Sequence, residues 1–315
     1  MSLSSSKTGF AAIGECMLEL KEDKSYPGAP SLTLGYGGDT LNTSIYMSRL
    51  GVPTSYITAL GDDPHSEWLL GQWHQEGIDT ELIPRYKNRQ PGLYWIATDD
   101  TGERSFTYWR QESPARQLFD NESHIQHIYQ STIRKRMIYL SGITLSLYSK
   151  TGYKRLSSFL TELRSAGGII CFDGNYRPSL WQSTADARQR FESTARLSDI
   201  VLPTFEDERS LFGDQTPQET AARLSNWGVR EVAIKLGAQG CLVVQDDGLC
   251  LVATKSINRP VDTTAAGDSF NAGYLSARYK GLSVKNAAEK GNELASVVIM
   301  HNGAIIPRQV ISQLL

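Results

Sequence analysis

The chain is short of the features that identify many enzyme classes on sight. Histidine occurs five times in 315 residues. His65, His74, His124, His127 and His301 fall into no catalytic or metal-ligand spacing. Cysteine occurs four times, at Cys16, Cys171, Cys241 and Cys250. No two of them form a Cys-x-x-Cys pair, and three lie in apolar, strand-like stretches. They read as buried thiols of a reducing, cytoplasmic compartment rather than as disulfides or a zinc site. No apolar run approaches the ~18 residues that a membrane span requires. Met1 to Thr8 carries one Lys and no apolar core, so it does not read as a secretory signal. Charge is balanced, with 32 Lys+Arg against 34 Asp+Glu and a net −2, which leaves no global footprint for nucleic acid or acidic lipid. GxxxxGK[ST], GxGxxG after the first strand and GxSxG are all missing. Their absence argues against a Walker-A nucleotidase, a dinucleotide-dependent dehydrogenase and a serine hydrolase.

What is present is a regular alternation. Phe10–Glu15, Tyr56–Leu60, Met137–Leu140, Gly168–Phe172, Ile200–Pro203 and Val232–Lys235 read as buried strands, because each is a short apolar run without polar alternation. Helical patterns at Leu41–Leu50, Ser66–Gln75, Thr151–Ala166, Ala185–Leu197, Pro217–Trp227, Gly267–Arg278 and Val284–Met300 separate them, several stopping at glycine. The expectation is an α/β fold, a layered sandwich on a largely parallel sheet, formed by residues 1–315 as one domain. Two segments break the rhythm. Leu18–Tyr36 has no helical period. Gly92–Arg110 reads as a hairpin, Leu93–Thr98 and Arg104–Trp109 around Asp99-Asp100-Thr101-Gly102. Segments of about 18–36 and 92–110 are therefore expected to build a small sheet acting as a lid, with an antiparallel extension of the main sheet as the alternative. A second hairpin around Asp246-Asp247-Gly248 reads as an edge extension.

Four motifs bear on chemistry. Asp262-Thr263-Thr264-Ala265-Ala266-Gly267-Asp268 places small residues just before a helix. First-turn N–H groups there are free to meet an anion. Asp268, in the same turn, suits removal of a proton from a hydroxyl, or it is simply a cap. Gly35-Tyr36-Gly37-Gly38-Asp39-Thr40-Leu41-Asn42 opens another helix. Its glycines permit close backbone approach or a turn with φ > 0, and Asn42 could bond a hydroxyl-rich ligand. Asp173-Gly174-Asn175-Tyr176-Arg177-Pro178 lies at a strand's carboxyl end, where open α/β sheets bind ligands. Arg177 suits an anion there, or a surface salt bridge. Lys235-Leu236-Gly237-Ala238-Gln239-Gly240 is compatible with a nucleotide edge.

Together these residues resemble the ribokinase-like (PfkB) family of sugar kinases over nearly the whole chain. Gly37-Gly38 with Asn42 matches the family's N-terminal signature, and Asp262 to Asp268 its specific C-terminal one. Gly14-Glu15-Cys16-Met17, Pro91-Gly92-Leu93-Tyr94, Tyr108-Trp109-Arg110, Asn175-Tyr176-Arg177-Pro178 and Gly303 to Arg308 bring it nearest to members acting on 2-keto-3-deoxygluconate. The resemblance implies transfer of the γ-phosphoryl group of ATP, with Mg²⁺, to that sugar acid. Asp268 is then the base, and the Ala265, Ala266 and Gly267 amides an anion hole. Gly37, Gly38, Asn42, Tyr94 and Tyr108 would hold the sugar, while Arg110 and Arg177 would meet its carboxylate. Asn175, Arg177, Lys235, Gly237, Ala238 and Gly240, with Ala266 and Gly267, would line the ATP side.

Two arginines at the site of a plain sugar would have nothing to neutralise, so they favour an acid. The family's Asn-x-x-Glu motif is replaced here by Thr204-Phe205-Glu206-Asp207-Glu208, and Asp207 or Glu208 becomes the candidate that orders hydrated Mg²⁺. Asp262 and Thr264 match a monovalent-cation site, implying K⁺. A related kinase for the galacto epimer or for a neutral sugar, and a non-catalytic sensor on the same fold, are the competing readings. Aromatic lid strands and the resemblance both suggest a homo-oligomer, dimer or larger.

Overall fold

Strands in the centre of this chain are buried on both faces, and that explains their lack of polar alternation. In a computed structural model, which describes residues 7–23, 31–98, 104–245 and 248–311, Phe10 and Ala12 enter one apolar cluster while Ala11 and Ile13 enter another. Met137 and Tyr139 divide from Ile138 and Leu140 in the same way. Each cluster lies under one helical layer. Helices Asp39–Arg49, Ala266–Tyr279 and Val284–Val298 cover one face; Lys150–Ser165, Thr184–Leu197 and Pro217–Asn226 cover the other.

The main sheet has nine strands. Across it run Gly248–Val252, Cys241–Gln245, Glu231–Lys235, Ile200–Val201, Ile169–Asp173, Met137–Ser141, Phe10–Ile13, Thr54–Ile57 and Ile78–Asp79. Neighbours are parallel from Ile78–Asp79 to Glu231–Lys235. The last two strands are antiparallel and form the expected edge hairpin; Asp246 and Asp247 of its turn lie outside the described residues. From Phe10–Ile13 the chain first moves to Thr54–Ile57 on one side and later to Met137–Ser141 on the other. The strand order thus reverses at the first strand, and the crevice beyond its carboxyl end is where such sheets take ligands.

The segments that break the rhythm do not extend the main sheet. Met17–Asp23, Ser31–Gly37, Gly92–Thr98 and Arg104–Trp109 form a separate four-stranded sheet in the order Ser31, Met17, Gly92, Arg104. The turn at residues 99–103 lies outside the described residues, as do residues 24–30. Leu18, Tyr36, Leu93 and Trp109 are cross-strand neighbours and share one face; Glu19, Gly35, Tyr94 and Tyr108 share the other.

Several boundaries differ from the sequence reading. The strand expected at Tyr56–Leu60 is Thr54–Ile57, and Leu60–Gly61 pairs separately with Arg85–Tyr86. Helices Glu122–Thr132 and Phe205–Phe212 were not expected. The first buries only Ile128 and Thr132, and the second Glu208 and Leu211, so neither shows a strong apolar stripe.

Candidate active site

Helix ends separate the site from the rest of the molecule. Helices beginning at Pro64, Glu122, Lys150, Thr184, Pro217 and Val284 are each capped by a side chain from Asp63, Asn121, Ser149, Ser183, Thr216 or Ser283. The helices beginning at Asp39, Phe205 and Ala266 have no side-chain cap at Gly38, Thr204 or Ala265. All three open toward the carboxyl ends of the parallel strands. Thr40 N–H is met by Asp39 Oδ1 at 2.8 Å. In the third helix Ala265 stands at φ 59°, a left-handed conformation that a residue with a Cβ seldom adopts outside functional turns. Ala266 N–H donates to Thr263 O at 3.2 Å, and Ser269 N–H to Ala265 O at 2.9 Å. The amides between them, Gly267 and Asp268, have no backbone acceptor among the described residues. Ala266 N–H is thus turned to its own turn, while Gly267 N–H stands at the open end.

Asp268 is buried at the head of that helix, and Asn42 Nδ2 donates to its Oδ2 at 2.8 Å. Asn42 Oδ1 is buried with no partner among the described residues. An unsatisfied buried carbonyl oxygen is costly unless a ligand supplies the donor, and a sugar hydroxyl would do so. Burial pushes the Asp268 carboxyl up to about 8, and the negative charge of Asp39 adds to the rise, while Asn42 and Lys235 oppose it. The Asp39 carboxyl is raised too, chiefly by burial; its Oδ2 accepts from Asn175 Nδ2 at 2.7 Å. Behind them Asp173 accepts from Lys235 Nζ at 2.9 Å and from Asn271 Nδ2 at 2.8 Å. Lys235 Nζ also donates to Asn271 Oδ1 at 3.1 Å and lies 3.6 Å from where a Cβ on Gly267 would stand. One ammonium thus sits between the Asp173 carboxylate and an open helix end.

The glycines of the second motif have steric rather than conformational reasons. Gly38 is extended, at φ 170°, and a Cβ there would lie 2.2 Å from Glu15 O. A Cβ on Gly37 would lie 2.6 Å from Tyr94 Oη. That hydroxyl donates to Glu19 Oε2 in a short bond. Tyr94, Tyr108 and Phe106 form one aromatic row, with ring centroids 6.0 to 6.5 Å apart. Tyr108 is 47% exposed.

The other charged candidates meet partners within the chain. Arg110 is not a free cation: it is buried against Glu15, Nη2 to Oε2. Arg177 is half exposed and faces Asp207 at 3.5 Å. Glu208 is buried and bonded to Arg223 Nη2 at 2.7 Å. Arg223 also binds Asp214 and stacks on Phe212 and Trp227. Glu208 therefore joins two helices. Among the described residues no group of three His, Cys, Asp or Glu could hold a metal. Gly240 is buried, with a Cβ site 2.2 Å from Val252 O; it closes a turn, while Gly237 and Ala238 are exposed. Asp262 Oδ1 accepts from Thr264 N and Oγ1, and Oδ2 from Gly303 N at 2.9 Å, so its carboxylate ties two loops together.

Sequence reasoning gave no role to Glu15, Glu19, Asp39, Asp173, Asn271 or Tyr139, whose hydroxyl accepts from Asn271 Nδ2 at 3.0 Å. Asp39 and Asp173 lay inside quoted motifs, next to glycine at strand or helix ends, and that position was the available signal.

Comparison with known proteins supplies the family. The pfkB family carbohydrate kinase description matches residues 7–310. A 2-dehydro-3-deoxygluconokinase of Escherichia coli is 45% identical over 307 residues, covering 95% of this chain and 97% of its own. One from Haemophilus influenzae is 38% identical, covering 97% and 98%. Among solved structures, a PfkB protein from Polaromonas superposes with a TM-score of 0.83 at 25% identity, covering 97% and 99%. A putative ribokinase II of Escherichia coli in complex with ATP and Mg²⁺ has the same fold, with a TM-score of 0.83 at 21% identity, covering 97% and 98%. With a family match across nearly its whole length, a ribokinase-like fold and an acid at the open helix end, this chain belongs to the pfkB family of carbohydrate kinases.

Proposed function

We propose that this kinase transfers the γ-phosphoryl group of ATP to the 6-hydroxyl of 2-keto-3-deoxy-D-gluconate, forming 2-keto-3-deoxy-6-phosphogluconate and ADP. The observation that carries the chemistry is Asp268: a buried carboxylate, oriented by Asn42, one residue from the open Gly267 amide. The acceptor hydroxyl gives its proton to Asp268 as its oxygen bonds to phosphorus, and the bond from phosphorus to the ADP oxygen breaks. Gly267 N–H and Lys235 Nζ face the charge that develops on the phosphates. Tyr94, Gly37 and Asn42 hold the sugar, and closure of the small sheet excludes water.

The residues fit Mg²⁺ delivered with the nucleotide. No three-acid cage exists among the described residues, and Mg²⁺ normally takes phosphates, waters and one or two carboxylates. Asp207, at the uncapped helix end, is the nearest fit. The ion supplies charge neutralisation on the phosphates.

The acid substrate is supported by the names of the relatives and by Arg110, which bonds Glu15 through Nη2 alone and leaves Nε without a partner among the described residues. One observation favours a second reading. Both arginines already face acids, which would suit a neutral sugar. ADP release with Mg-ATP against 2-keto-3-deoxygluconate, its galactonate epimer, fructose and ribose decides. Selectivity for the first supports the proposal. Preference for fructose or ribose replaces the substrate but keeps the base. No turnover at all supports a sensor.

We further propose a homodimer through the outer face of the small sheet. Leu32, Leu34 and Trp109 are exposed by 41%, 43% and 50% and lie on the face away from Tyr94.

A further inference from the structure

The Arg110–Glu15 pair is half made. A guanidinium has two edges that can each grip a carboxylate with two bonds: a side edge, Nε with Nη2, and an end edge, Nη1 with Nη2. In this structure Nη2 meets Glu15 Oε2, while the two atoms that would complete the side-edge fork, Arg110 Nε and Glu15 Oε1, are both buried and unpartnered. The two side chains are only 9% and 1% exposed. A stability role accounts poorly for this. A buried ion pair seldom stabilises more than an apolar pair would, and unmet donors and acceptors make it worse.

Its position is more informative. The pair sits at the foot of the small sheet. Glu15 comes just before the strand that begins at Met17, and Arg110 just after the strand that ends at Trp109. A Cβ on Gly92, where the third strand enters, would stand 3.1 Å from Glu15 Oε1, 3.2 Å from Arg110 Cβ and 2.9 Å from Met17 Cγ. Glycine at 92 is thus what lets the two side chains meet beneath that strand.

We infer that Glu15 is a positioning residue for recognition of an acid acceptor. It holds the side edge of Arg110, so that the end edge is presented to the carboxylate of the sugar acid. Completing the Nε–Oε1 bond on closure would seat the guanidinium between two carboxylates, one from the protein and one from the substrate. This rests on the acid-substrate reading above. It also predicts that charge alone is insufficient at position 110, because a lysine ammonium has no second edge.

The test compares 2-keto-3-deoxygluconate with its neutral carboxamide, in wild type, Glu15→Ala, Arg110→Lys and the double variant. Glu15→Ala is expected to raise the acid KM by about tenfold or more and to leave the carboxamide and ATP KM within about twofold. Arg110→Lys should do the same despite keeping its charge. The double variant should be no worse than the poorer single one, because Glu15 acts only through Arg110. Equal losses on acid and carboxamide, a parallel rise in ATP KM, or additive losses would overturn the inference. If Glu15→Ala does not fold, Glu15→Gln keeps the volume and one acceptor; a smaller acid-selective loss supports the role, and none refutes it. A wild type indifferent to the carboxamide refutes the substrate reading itself before any variant is compared.

Discussion

At the scale of single residues, the site turns on one carboxylate held in an unfavourable place. The ordinary Asp carboxyl ionises near pH 3.8, whereas burial and Asp39 push Asp268 up to about 8. An acid raised in the folded state binds a proton on folding, so its contribution to stability falls as pH rises through the window from about 4 to about 8. Asp268→Asn should therefore melt higher than wild type, with a margin that grows across that window and then levels, seen by calorimetry at several pH values. The same variant should lose turnover by at least ~10²-fold. A folded variant with near-normal turnover would remove Asp268 from the base role. The pH dependence of kcat/KM separates the neighbours. Activity should rise with pH toward the Asp268 value, because only the ionised form accepts a proton. Asp39→Asn removes a charge that raises that value, so its rising limb should move to lower pH. A limb that stays put would show that the titrating base lies elsewhere.

At the scale of elements, three helix ends and one sheet do the positioning. Apolar runs and glycine stops made the parallel strands and most covering helices readable, because those signals are local. Helices Glu122–Thr132 and Phe205–Phe212 escaped notice since each buries only two residues. The Gly37 contact belongs to this scale too. Gly37 ends one strand of the small sheet and Tyr94 lies on another. Gly37→Ala must displace the Tyr94 hydroxyl and with it the bond to Glu19. The acceptor KM should rise roughly ten- to hundredfold, with ATP KM unchanged, since small displacements of positioning groups carry costs of that order. Steady-state kinetics varying each substrate in turn would show it. An equal rise in both would place the damage in the main sheet instead.

At the scale of the whole molecule, the small sheet has one face that carries Tyr94 and Tyr108 and another that leaves Leu32, Leu34 and Trp109 in water. Leu34→Ser with Trp109→Ser should shift a dimer toward monomer in light scattering, while the isolated fold keeps its melting behaviour. An unchanged mass would assign the outer face to some other use.

The sequence by itself determined the parallel α/β core, the two segments that break its rhythm, the small-residue turn ahead of Asp268 and the membership of a sugar-kinase family. These rest on patterns within a few residues of each other: apolar runs, glycine stops, small residues before a helix. Tertiary structure alone decided what each charged side chain meets. Asn42 reaches Asp268 across 226 positions, and Arg110 reaches Glu15 across 95. Both arginines were legible as residues but not as partners of Glu15 and Asp207. The Glu208 carboxylate likewise was legible as a candidate and not as the partner of Arg223. Ionic and hydrogen-bond partners are chosen by which strand ends the topology brings together, and no local spacing encodes that choice.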